Sequence, residues 1–215
     1  GEAPAEPPAQ QNQRVARREP RFPGGTFLQG CPVKFVPTKF DSAWLIEPDR
    51  HEDERGFFAR TWCQREFEDR GLNAGLVQCS VSFNTASGTL RGMHFQAAPH
   101  EEAKLVRCTR GSIFDVIVDV RRQSPTFGQW QGFELSAVNH RTLYIPEGFA
   151  HGFQTLEADT EVSYQMSEFF HPESACGFHH ADSQIGIQWP LPVEVISQKD
   201  SELPSLLPVG KQAAA

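Results

Sequence analysis

The stretch Tyr144-Ile145-Pro146-Glu147-Gly148-Phe149-Ala150-His151-Gly152-Phe153 decides the fold. Two apolar runs, 143–145 and 149–156, flank a Pro-x-Gly turn in which glycine permits the reversal. Outward from it, the chain repeats short apolar runs at 33–36, 44–46, 56–58, 76–83, 105–108, 113–120, 130–135 and 162–166. Turn residues bound most of them: Gly88, Gly111, Ser124-Pro125, Asn139-His140 and Glu157-Ala158-Asp159. Many short strands at regular spacing predict a sandwich or barrel. Only 63–70 reads as helical, and it is short. No helical pattern alternates with the strands, which disfavours a parallel α/β sheet. The expected fold is all-β and antiparallel.

Composition bounds the rest. A chain of 215 residues is expected to hold one domain plus tails. Seventeen Phe and four Trp against two Met suit a β-rich core, because aromatics fit pleated, half-buried surfaces. Residues 1–26 are rich in Pro, Ala, Gln and Arg with almost no large apolar side chains, and read as a disordered tail. The expected domain is 27–208, with a second tail at 209–215. A net charge of −7 argues against nucleic acid as a partner, so local cations must meet any anionic ligand. Five cysteines without a CxxC favour reduced thiols and a cytoplasmic location. No apolar run reaches transmembrane length, and no membrane partner is expected.

The chemistry-bearing residues fall on the strands. Arg91-Gly92-Met93-His94-Phe95-Gln96 has period-2 character, so His94 and Gln96 are expected to share a face. Lys104 and Arg107 follow on the next apolar run. One histidine, one amide and several cations on neighbouring strands suit an anionic ligand and a proton transfer. In Phe114-Asp115-Val116-Ile117-Val118-Asp119, the two aspartates share a face. Asp119 reads as structural. Asp115 reads either as structural or as the orienter of His94 or His151, since a neighbouring carboxylate raises a histidine's basicity and fixes its tautomer. In Glu161-Val162-Ser163-Tyr164-Gln165-Met166, Tyr164 faces with Val162 and Met166, either as core or as a general acid.

The Pro-x-Gly turn followed by a strand-borne histidine resembles the second signature of jelly-roll cupins. Metal cupins carry a His-x-His pair in their first signature, where this chain has His94-Phe95-Gln96, and an amide binds transition metals poorly. The motifs together resemble the dTDP-4-dehydrorhamnose 3,5-epimerase family: Asp53 to Phe58, Arg91 to Gln96, Lys104 to Arg107, Phe114 to Arg121, Ser124 to Gly128, Ile145 to Phe153 and Ile185 to Pro190, in family order. That resemblance implies a cupin-like antiparallel jelly-roll barrel with a few short helices, usually homodimeric, needing no cofactor and no metal. It implies inversion at C3, C5 or both of a 4-keto-6-deoxyhexose on a nucleoside diphosphate, with dTDP the expected nucleotide. The C4 ketone acidifies the neighbouring C–H bonds. A base takes a proton from one face and an acid returns one to the other.

By resemblance His94 is the base, Asp200 its orienting carboxylate and Tyr164 the acid, and Lys104 stabilises the enolate oxygen. Arg55, Gln78 and Arg91 match residues that hold the nucleotide sugar, and His151 and Asp115 match positions near the base. Two departures fall in the expected nucleotide site: Ser80 stands for an asparagine, and Arg60 for a glutamate that contacts the nucleobase. Two other readings stay open. One is a metal cupin with His94, Gln96, Glu102 and His151 as ligands; the other is a non-catalytic sugar-nucleotide-binding cupin.

Overall fold

The computed structural model describes residues 32–206. The expected tails at 1–26 and 209–215 lie outside the described residues.

One large sheet contains β1 (Lys34–Pro37), β2 (Trp44–Glu47), β5 (Gln78–Asn84), β7 (Lys104–Arg110), β10 (Thr142–Ile145) and β12 (Thr160–Met166), in the spatial order β1-β2-β10-β7-β12-β5. The other is built from β6 (Thr89–Gln96), β8 (Ser112–Asp119), β9 (Trp130–Ser136), β11 (Phe149–Thr155) and β13 (Ala175–Gly177), in the order β13-β6-β11-β8-β9. The two-residue β14 (Val195–Ile196) runs parallel to β6, while every other paired strand among the described residues is antiparallel. A separate hairpin joins β3 (His51–Asp53) to β4 (Gly56–Phe58). The helices are α1 (Gln64–Glu68), shorter than the expected 63–70, and α2 (Gln198–Ser201). The all-β jelly-roll expectation holds. No described helix is long and apolar enough to cross a membrane.

Alternation along the strands explains the layers. On β7, β10 and β12 the inward residues Val106, Cys108, Leu143, Ile145 and Val162 meet Ile113, Ile117, Leu135, Phe149 and Phe153 of the facing sheet. The outward residues are covered as well. Ile46, Leu105 and Tyr144 lie under Phe67 of α1, and Val116, Val118 and Ala150 lie under Phe178, Ile185 and Ile187. This double cover is why β8 and β11 are buried along almost their whole length.

The inner face changes character along each strand. On β7 it runs from Cys108 and Val106, both fully buried, to Lys104. On β12 it runs from buried Val162 to Tyr164 and Met166. One end of the barrel is therefore packed, and the other opens as a cavity lined by both polar and apolar side chains. Where β6 and β11 cross, they approach through glycine: a Cβ on Gly92, whose φ is +126°, would fall 2.5 Å from the Gly152 Cα. The β6–β11 register slips at this point, between His151 and Phe153.

Candidate active site

The cavity has two connected lobes of about 430 and 320 Å³, which share His94, Lys104, Tyr164 and Lys199 in their walls. His94 stands on β6, in one sheet. Tyr164 and Lys104 stand on β12 and β7, in the facing sheet. The wall residues thus enter from opposite sides.

His94 Nε2 lies 2.8 Å from Asp200 Oδ1. Asp200 is 5 % exposed, and its other oxygen accepts the Gly92 backbone N–H at 3.2 Å. Ser197 caps α2 by accepting the Asp200 N–H at 3.1 Å, which sets the carboxylate in place. A carboxylate that accepts from Gly92 also accepts from the ring, so the proton sits on Nε2 and Nδ1 carries the lone pair. Loss of hydration lowers the His94 pKa below the ordinary histidine value. Asp200 pulls it back up, while Lys104 and His151 add to the lowering.

His151, the cross-strand partner of His94, is held the same way, with Nε2 2.7 Å from Asp115 Oδ1 and both side chains buried. Asp115 therefore serves His151 and not His94. Its second oxygen has no hydrogen-bond partner. The His151 ring meets Tyr164 edge-on at 6.2 Å. The Tyr164 hydroxyl lies 3.3 Å from Ser82 Oγ. Burial pushes the Tyr164 phenol well above its usual range, and Asp115 adds to this, so the hydroxyl stays protonated. Lys104 pairs with Glu102 at 2.9 Å, both nearly buried.

Gln78 and Ser80 line the larger lobe, and Arg91 lines the smaller, with its Nε on Asn84 Oδ1 at 2.8 Å. Two expected ligand residues are not brought to this cavity by the chain's own fold. Arg55 projects from the β3–β4 hairpin, paired with Asp53 and 82 % exposed. Arg60 is drawn to Glu66 of α1 at 3.0 Å. Gln96 is turned to structural use, since its amide bonds three backbone groups. Among the described residues the ligating atoms of His94, Glu102 and His151 form no metal-sized cluster. Lys199 lines both lobes but went unnoticed in the sequence, where a single cation in a polar segment carries no pattern.

A family model described as dTDP-4-dehydrorhamnose 3,5-epimerase matches residues 37–207. The chain belongs to the dTDP-4-dehydrorhamnose 3,5-epimerase family. A dTDP-4-dehydrorhamnose 3,5-epimerase of Sinorhizobium fredii is 47% identical over 192 residues, covering 88% of this chain and 97% of the relative. The crystal structure of the Bacillus anthracis dTDP-4-dehydrorhamnose 3,5-epimerase, with TDP and PPi bound, superposes with a TM-score of 0.78 at 42% identity, covering 81% of this chain and 99% of that one. A Legionella pneumophila epimerase in complex with dTDP-4-keto-L-rhamnose gives 0.75 at 41% identity, covering 81% and 93%. Epimerases are isomerases, and this membership fits a cavity that faces a histidine with a protonated phenol.

Proposed function

We propose that this chain inverts C3 and C5 of a 4-keto-6-deoxyhexose carried on dTDP, without a cofactor, by proton removal and return through an enolate. One observation carries the reading: a neutral His94 and a protonated Tyr164 reach the same cavity from opposite sheets. Inversion needs this pairing, with a base on one face of the sugar ring and an acid on the other.

His94 takes the proton on Nδ1, and the resulting imidazolium is stabilised by Asp200 through Nε2. Negative charge then develops on the C4 oxygen, where the Lys104 ammonium meets it. Glu102 keeps that ammonium in place. Tyr164 donates to the opposite face of the carbon. His151, fixed by Asp115, borders the base and contacts substrate. Gln78, Ser80 and Arg91 hold the nucleotide sugar, with Arg91 offering a forked contact to the diphosphate.

Arg55 completes the set only from a second copy of the chain. The β3–β4 hairpin exposes Phe57 and Phe58, and β5 exposes Val81 and Phe83. Those apolar surfaces suit a homodimer in which the hairpin reaches the neighbour's cavity. The four described cysteines with free thiols accord with work in the cytoplasm.

The test is proton NMR of dTDP-4-keto-6-deoxyglucose in deuterated water with the purified protein. Deuterium is expected at both C3 and C5, together with inverted products. Exchange at one carbon alone would reduce the reading to a monoepimerase, and no exchange at either would overturn it.

A further inference from the structure

Outside the catalytic walls, two loops meet at the rim of the larger lobe. His100 follows β6, and His171 and Glu173 lie between β12 and β13. The two imidazole rings stack at 3.6 Å between centroids, 4° from parallel. Ligating atoms of His100, His171 and Glu173 all lie within 4.8 Å of one another. We propose that these three residues bind a divalent transition metal of the zinc type at the cavity rim.

The donor set argues for that class of ion. Two imidazoles and one carboxylate, with a fourth position left to water, are a zinc-like set, whereas calcium and magnesium prefer oxygen alone. The support around the donors is specific. Gln96, 4 % exposed, donates from Nε2 to the carbonyls of His100 and Phe169, each at 3.0 Å, and accepts the His171 N–H on Oε1 at 2.6 Å. A single buried amide thus ties both histidine-bearing loops together. Ser174, itself buried, holds His100 Nδ1 at 2.9 Å, which leaves Nε2 as the ligating nitrogen. Groups that fix a ligand's backbone and tautomer are what a metal site requires around its donors. His171 has two carboxylates beside it, Glu173 at 3.1 Å and Glu168 at 3.8 Å, so local charge also favours a cation.

An ion must lie in the plane of each ring, so one imidazole turns out of the parallel stack on binding. His171, about one-third exposed, is the one with room to turn. The site is separate from the proton-transfer residues. It touches the cavity through Phe170, next to His171, whose N–H donates to Gln78 Oε1 at 2.8 Å.

The test uses the untagged full chain, titrated with Co²⁺ and followed by visible absorption, and with Zn²⁺ by calorimetry. Saturation at about one equivalent is expected, with the intense absorption of four-coordinate Co²⁺. His171→Ala and Glu173→Gln, both changes on exposed loops, should weaken binding by roughly tenfold or more. No saturable step, or a step that both variants keep unchanged, would overturn the proposal.

Discussion

His94 and His151 are cross-strand partners on β6 and β11, and each is clamped through Nε2 by its own carboxylate, Asp200 for one and Asp115 for the other. The two pairs differ in surroundings. His151 and Asp115 are buried, whereas the His94 ring opens to the cavity. That difference supports the proposed proton transfer at His94 and the supporting part proposed for His151.

His94→Ala should lower kcat by at least ~10²–10⁴-fold with dTDP binding largely kept, since a general base contributes about that much. Steady-state rates together with dTDP titration check this. A variant that exchanges the C5 hydrogen at the wild-type rate would remove His94 from the mechanism.

The pH profile follows from the same pair. His94 must be neutral to act, and its pKa lies below the ordinary 6.5. The kcat/KM should therefore be level above that value and fall as pH drops through a lower one. Asp200 raises the pKa by charge and by hydrogen bond. Asp200→Asn should thus move the acid limb to still lower pH while reducing the plateau. A limb that moves upward would show that Asp200 does not act on His94.

Tyr164→Phe removes one hydroxyl and keeps the ring between His151 and Phe153. Solvent deuterium should still enter the substrate, but inverted product should form far more slowly. Inversion at the normal rate would make Tyr164 a packing residue only.

Exhaustive chelation should leave epimerisation running, because proton removal and return are assigned to side chains alone. An ion stripped from the proposed rim site would come from outside the reacting groups, so its loss should spare turnover as well. Activity abolished by EDTA and restored by one particular divalent ion would move the metal-cupin reading from second place to first.

Asp119 gives a stability prediction. Burial pushes its carboxyl up, but hydrogen bonds from Arg121, Ser124 and Thr126 outweigh this and hold it at about 2. A depressed folded pKa means stability that is present above the unfolded value of 3.8 and lost as pH falls towards 2. Asp119→Asn should cost roughly 2–3 kcal/mol at neutral pH. Urea midpoints of wild type and variant should draw together as pH falls to about 2, and a constant gap between them would contradict the assignment.

The sheets were readable because their strands are long enough to show alternation and are bounded by turn residues. The pieces that were missed are short. β3, β13 and β14 have only two or three residues, and the last two exist by bonding to the edge of β6, which no local pattern encodes. Alternation also breaks at Gly92. Arg91 and His94, three apart on one strand, both reach the cavity because a positive φ between them resets the faces. Arg60, expected in the nucleotide site, is held away from this chain's own cavity for a different reason: a carboxylate six residues along, Glu66, pairs with it. The second pocket face that Arg55 would serve belongs to another copy in the proposed assembly, which a single chain's spacing does not describe.

The base and its carboxylate are 106 residues apart in the chain, and the carboxylate arrives on a late segment that docks through β14 and α2. A ribosome has translated nearly all of the described chain before Asp200 appears. Until then the sheets can pair, yet His94 lacks its anchor. A premature stop or a proteolytic cut before residue 195 would therefore take away the carboxylate that anchors His94 and the Lys199 wall of both lobes. Competence thus hangs on a late-made segment, and a nick there would remove it while sparing the strands that carry His94 and Tyr164.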